Sequence, residues 1–126
     1  MAADTHKFES RYLDFCIGPY PETAIDRYKA RSPLNHLDLI KSPVLLLHGS
    51  EDKVCPPRGA VAMYEKAVEK GLPAALEIFE GEQHGFRREE NILRALDAEY
   101  NFYTQVWGME DADFPAGFQA VDVKNL

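Results

Sequence analysis

The chain has 126 residues, 45% hydrophobic and 28% charged, with 14 basic against 21 acidic side chains and a formal net charge of −7. That length holds one domain at most, or part of one, and the composition is that of a globular chain rather than a disordered one. The acidic balance argues against nucleic acid or an anionic membrane as partner, and no apolar run approaches the roughly 20 residues that span a bilayer.

The first residues, Met1 to Lys7, lack the apolar core of a secretory signal, so the expectation is a cytoplasmic protein. Residues 8–17 are predicted as a short helix with Phe8, Tyr12, Phe15 and Cys16 at helical spacing, broken by Gly18-Pro19-Tyr20-Pro21. A second short helix is expected from residue 22 to about residue 30, and residues 34–40 suit a single helical turn after Ser32-Pro33. Val44-Leu45-Leu46-Leu47 is wholly apolar between Ser42-Pro43 and His48-Gly49, which reads as a strand buried on both faces. Residues 58–70 follow Pro56-Pro57 and carry one apolar stripe, Ala60, Met63, Tyr64, Ala67 and Val68, ended by Gly71. Residues 75–79 read as a second buried strand. Residues 89–106 form the longest predicted helix, with Ile92, Leu96, Tyr100, Tyr103 and Val106 on its apolar side and Gly108 as its stop. The aromatics Tyr100, Phe102, Tyr103 and Trp107 read as core. The acidic tail from Met109 onward is expected to be irregular, which divides the chain into residues 1–108 and a tail over 109–126.

The order is helix, strand, helix, strand, helix. Strands joined by a crossing helix are parallel neighbours. Two parallel strands alone make a poor sheet, because parallel sheets are covered on both faces and are usually wider. The expected fold is therefore α/β with an incomplete sheet, one end of a larger one.

Two turns carry the chemistry. Leu47-His48-Gly49-Ser50-Glu51-Asp52 ends the first strand, and Gly81-Glu82-Gln83-His84-Gly85-Phe86 follows the second. Asp52 stands five residues beyond Leu47, and His84 five beyond Phe79. Active groups of open α/β sheets lie just past the carboxyl ends of the strands. Adjacent parallel strands would bring both residues to one edge, where a carboxylate can hold one imidazole nitrogen and leave the other for a nucleophile. Taken singly, Asp52 would be a turn cap and His84 a surface loop residue; their matched positions favour the functional reading. No G-x-S-x-G elbow occurs in the 126 residues.

The stretch from Ser32-Pro33 through Pro43-Val44-Leu45-Leu46-Leu47-His48-Gly49-Ser50-Glu51-Asp52-Lys53-Val54-Cys55-Pro56-Pro57 to Phe79-Glu80-Gly81-Glu82-Gln83-His84-Gly85-Phe86-Arg87 resembles the C-terminal end of the prolyl oligopeptidase family of serine peptidases. The segment His6-Lys7-Phe8-Glu9-Ser10-Arg11-Tyr12 extends the resemblance, which runs from residue 5 to about residue 108. It implies the C-terminal portion of an α/β-hydrolase fold, with Asp52 as triad acid and His84 as base. The family's serine, on a G-x-S-x-G elbow, would lie upstream with part of the oxyanion hole.

Local substitutes for that serine are weak. Ser50 is on the acid's own turn with no elbow glycine after it. Ser10, Ser32 and Ser42 stand beside helix or proline signals and read as caps and turns. Cys55 precedes Pro56-Pro57 and reads as a packing or turn residue. Cys16 and Cys55 stand in no metal-binding spacing and read as free thiols of a reducing compartment, with a bridge between them left open. His48 reads as a buried, hydrogen-bonded histidine, and His6 and His36 have no partner pattern. Glu82 and His84 at i, i+2 with Asp52 match no familiar metal spacing, so neither a metal nor a cofactor is expected. Arg87-Arg88-Glu89-Glu90 reads as a solvated helix start.

Three functional readings follow. The first is a serine-type peptidase catalytic fragment, inactive alone, acting on peptide when a nucleophile-bearing half completes it. The second is a fragment of an esterase of the same fold, because the triad does not name the leaving group. The third is a non-catalytic module that associates with itself or another chain through an open sheet edge.

Overall fold

Val44–Gly49 (β1) is the apolar run extended by His48 and Gly49, and Ala74–Phe79 (β2) is its partner. The computed structural model describes residues 11–19, 24–110, 113, 114 and 116–126. β1 and β2 pair in parallel with Leu45 opposite Ala75, Leu47 opposite Glu77 and Gly49 opposite Phe79. The crossover helix Arg58–Glu69 (α3) packs on both strands. Its predicted stripe turns inward, with Ala67 buried and Ala60, Met63, Tyr64 and Val68 half-buried.

Alternation along the strands puts Leu45, Leu47, Ala75 and Glu77 on the opposite face from α3. There they meet Glu89–Trp107 (α4). The core is Ala75, Ala98, Phe102 and Val121, flanked by Leu45, Leu47, Val106 and Val123. The Arg94 guanidinium on α4 forms a two-nitrogen ion pair with the Glu77 carboxylate on β2, which fixes how the helix lies over the strand.

Two expectations need correction. The face of α4 that enters the core is Ala95, Ala98 and Phe102, and of the predicted stripe only Val106 packs against that core. Ile92, Leu96, Tyr100 and Tyr103 are 41%, 59%, 43% and 47% exposed, and of the four aromatics read as core only Phe102 is buried. Small residues let the helix approach the sheet closely, so the side rich in alanine wins the contact although the other side is more apolar. The tail is irregular among the described residues, as expected. It packs against the rest of the chain: Val121 is in the core, and Asn101 Oδ1 accepts the Val121 N–H at 2.8 Å. Lys124 forms a two-hydrogen-bond antiparallel bridge with Ala74. Phe114 and Phe118 stack, Phe114 also meets Tyr100, and Arg94 lies over Phe118.

The second correction concerns the first helices. Tyr12–Cys16 (α1) buries none of its residues, and Phe15 is 91% exposed. It is tied to Ile25–Arg31 (α2) by polar contacts instead: Arg27 and Arg31 donate to the Ile17 and Cys16 carbonyls at the end of α1. The predicted starts at residues 8 and 22 lie outside the described residues. The single turn expected over 34–40 is two 3-10 turns, Pro33–Asn35 and Leu37–Leu39, separated at His36. α4 ends at Gly108, whose left-handed conformation (φ 63°) lets Met109 N–H reach back to Thr104 O.

Ala74 uses its backbone groups on Lys124, so the start of β2's outer edge is occupied. Among the described residues nothing pairs with the outer edge of β1. Beside that edge runs a groove of about 360 Å³ lined by Pro43, Leu45, Leu47, Glu99, Phe102 and Tyr103. Among the described residues no helix is long and apolar enough to cross a membrane.

Candidate functional site

The two turns beyond β1 and β2 are laced together. Ser50 N–H donates to Phe79 O at 3.0 Å, Glu51 N–H to Glu82 O at 2.9 Å, and Gly81 N–H to Ser50 Oγ at 2.9 Å. Gly49 explains why this approach is possible: a Cβ there would lie 2.4 Å from Glu82 O and 2.5 Å from Gln83 O. Only glycine lets the acid turn and the histidine turn come this close.

Asp52 is buried, 7% exposed, and each of its oxygens has a separate task. Oδ1 accepts the N–H groups of Val54 (2.9 Å) and Cys55 (2.7 Å), an Asx-type turn. Oδ2 lies 2.9 Å from His84 Nδ1. Burial is the largest single influence on the carboxyl and pushes its pKa up. The Cys55 N–H, the His84 ring and the Val54 N–H together outweigh burial and hold it below the usual Asp value.

His84 stands at the centre of a γ-turn, closed by Gly85 N–H donating to Gln83 O at 2.9 Å. Gly85, at φ 117°, makes the chain reversal, and Phe86 packs on Phe79 with ring centroids 4.5 Å apart. An ionised carboxylate only accepts, so the proton of His84 resides on Nδ1. Nε2 then carries the lone pair. The side chain is 56% exposed, and among the described residues nothing hydrogen-bonds Nε2. A buried acid thus orients an imidazole whose free nitrogen is open to an incoming group.

Glu82 is the residue whose part the spacing hides. It is 2% exposed, and its carboxylate accepts Arg87 N–H (2.9 Å), Arg88 N–H (2.9 Å) and Asn91 Nδ2 (2.8 Å). Those contacts fasten the His84 turn to the start of α4, where Arg88 offers no side-chain cap of its own. The Asn91 amide, followed by the Arg88 N–H, holds the Glu82 carboxyl below its usual pKa. Glu82 is therefore a brace, not a metal ligand poised beside His84. The E-x-H spacing was legible in the sequence, but not the use of the Glu82 carboxylate five to nine residues onward.

The remaining candidates have structural partners. His48 Nε2 lies 2.7 Å from Cys55 O. Ser50 Oγ is occupied by Gly81 N–H and belongs to the lacing between the turns. Cys55 is exposed, with its backbone N–H on Asp52 and its carbonyl on His48. Cys16 is likewise exposed and a free thiol. His36 Nε2 contacts Ala30 O at 2.7 Å, far along the chain from either turn.

A puromycin hydrolase of known structure is 50% identical and superposes with a TM-score of 0.80, over 90% of this chain and 17% of that one. A puromycin-hydrolyzing peptidase of Mycobacterium tuberculosis is 41% identical with a TM-score of 0.83, over 98% of this chain and 18% of that one. The uncharacterized peptidase YtmA of Bacillus subtilis (strain 168) is 28% identical over 88 residues, which are 68% of this chain and 34% of that protein. The chain therefore spans about a third of that relative's length and under a fifth of the solved chains. Its fold is that of the C-terminal part of the α/β-hydrolase peptidase domain, with an open sheet. Residues 1–110 match the sequence family described as the prolyl oligopeptidase family (peptidase S9), and the chain belongs to that family.

Proposed function

We propose that Asp52 and His84 are the acid and the general base of a serine-type peptidase site, whose nucleophile comes from a G-x-S-x-G segment outside these 126 residues. The observation that carries this reading is the 2.9 Å contact between Asp52 Oδ2 and His84 Nδ1, with the acid buried and Nε2 open. In the proposed reaction His84 Nε2 takes the serine Oγ proton as Oγ attacks the scissile carbonyl. Asp52 stabilises the imidazolium through Nδ1–H. The proton then passes to the leaving amine, the acyl-enzyme remains, and water repeats the sequence with His84 as base. Amide bonds of short peptides and of aminoacyl compounds such as puromycin are the proposed substrates, by likeness to the two solved hydrolases.

The missing surface fits the same reading. The free edge of β1 and the groove lined by Leu45, Leu47, Phe102 and Tyr103 are where further parallel strands would add. The test combines the chain with a separately expressed nucleophile-bearing half of a related enzyme and measures hydrolysis of puromycin, peptide anilides and p-nitrophenyl esters. Expected is activity that needs both parts and disappears with His84→Ala, while the chain alone stays at background. Activity of the chain alone that His84→Ala abolishes would overturn the division of labour. Activity of the combined parts that survives His84→Ala would overturn the assignment itself. Turnover of esters without amides would favour the esterase reading.

A further inference from the structure

His48 is the last residue but one of β1 and reaches over the acid turn. Its Nε2 lies 2.7 Å from Cys55 O and 3.5 Å from Asp52 Oδ2, and its side chain is 19% exposed. A carbonyl only accepts, so Nε2 carries a proton and donates it to Cys55. The Asp52–Cys55 turn is thereby fastened twice: Asp52 Oδ1 receives the Val54 and Cys55 N–H groups, and the Cys55 carbonyl is gripped by His48. With Oδ1 saturated, the carboxylate cannot rotate without giving up two hydrogen bonds, and Oδ2 is the oxygen left for His84.

We infer that His48 is a positioning residue for the Asp52–His84 pair: it fixes the turn that fixes the Asp52 rotamer, and so selects the Nδ1–H form of His84. Its consequence for turnover rests on the peptidase reading above. The structural claim does not. Two histidines thus serve one carboxylate, one from the end of β1 acting through the backbone and one from the turn beyond β2 acting directly. Gly49, next to His48, adds the close approach of the two turns, so the His-Gly pair orders the site from one strand end.

The experiment is long-range proton–nitrogen NMR on the full chain with nitrogen-labelled histidine, which distinguishes the two neutral tautomers of each ring. In the wild-type chain His48 is expected as the Nε2–H form and His84 as the Nδ1–H form. In His48→Phe the Nδ1–H signal of His84 is lost in favour of the Nε2–H form that free imidazole prefers. In His48→Gln, whose amide nitrogen reaches about where Nε2 was, that signal is restored. Wild-type His48 as the Nδ1–H form, or His84 unchanged in a folded His48→Phe chain, would overturn the inference. Should His48→Phe fail to fold, His48→Asn, whose amide falls a bond short of the Cys55 carbonyl, is read in the same way. In the completed enzyme, His48→Phe should lower kcat by about 100-fold, the scale of an ångström-sized misplacement, with KM unchanged. A completed enzyme without turnover but with the wild-type tautomers intact would sink the peptidase reading and leave the positioning of Asp52 standing.

Discussion

Replacing Asp52 by alanine removes the single acceptor that serves two backbone N–H groups and an imidazole. Val54 and Cys55 N–H lose partners at 2.9 and 2.7 Å. An unsatisfied, desolvated donor costs about 1–3 kcal/mol. Val54 is half-buried and Cys55 is exposed, so water takes over part of that loss. The expected cost is about 2–3 kcal/mol, or a fall in Tm of about 8–15 °C for a chain of this size. Asp52→Asn keeps an oxygen where Oδ1 stands and should cost only about 1 kcal/mol. The pH dependence has a definite sign. The Asp52 pKa is lowered on folding, so the carboxylate's contribution is complete above the ordinary Asp value of 3.8 and is lost as pH falls through the lower folded value. The gap between wild type and Asp52→Ala should therefore be full at neutral pH and narrow below about pH 4. Thermal and urea unfolding followed by far-UV circular dichroism measures both. Asp52→Ala unfolding within about 0.5 kcal/mol of wild type at neutral pH would show that the turn does not depend on Oδ1.

Gly49→Ala places a methyl group 2.4 Å from Glu82 O, so the two turns must part; urea unfolding should register a loss of about 1–3 kcal/mol, and the His84 Nδ1–H resonance should disappear. Glu82→Gln leaves one carbonyl oxygen for three donors and should lower Tm at neutral pH, because the wild-type carboxyl titrates below its usual value of 4.5; the difference should shrink as pH drops through that lowered value, and a constant difference down to pH 2 would refute it. Leu96 and Trp107 on the outer side of α4 are 59% and 68% exposed, so Leu96→Glu with Trp107→Lys should shift the chain toward monomer in sedimentation, whereas a wild-type chain already monomeric at high concentration would show that the stripe does not drive association.

The strands, the crossover helix and the two turns were readable from the sequence because each has a local cause. An apolar run between Ser42-Pro43 and a His-Gly pair has few alternatives to a strand, and Val44–Gly49 is one, although it is half-buried up to His48 rather than buried on both faces. Helix stops at Gly71 and Gly108 follow from the left-handed conformation that glycine adopts without penalty, with φ of 73° and 63°. The strand ends also told that Asp52 and His84 could meet, since parallel neighbours share their carboxyl edge.

What the sequence left open was decided by long-range contacts. The periodicity of α4 located an apolar stripe but not the side that packs inward, which carries Ala95, Ala98 and Phe102. The same blindness hid the tail's contacts: Val121 sits in the core with its N–H held by Asn101, twenty residues earlier, and its carbonyl by Gln105. It also hid Glu82, which looks like a neighbour of His84 in the chain and is a brace for the start of α4 in space. The sequence determined which residues stand at the strand ends, because backbone propensity and turn chemistry act over a few positions. Only the tertiary structure assigned each oxygen of Asp52 its partner, because a hydrogen bond between Oδ2 and an imidazole 32 residues away depends on the register of two strands and on a glycine that lets their turns touch.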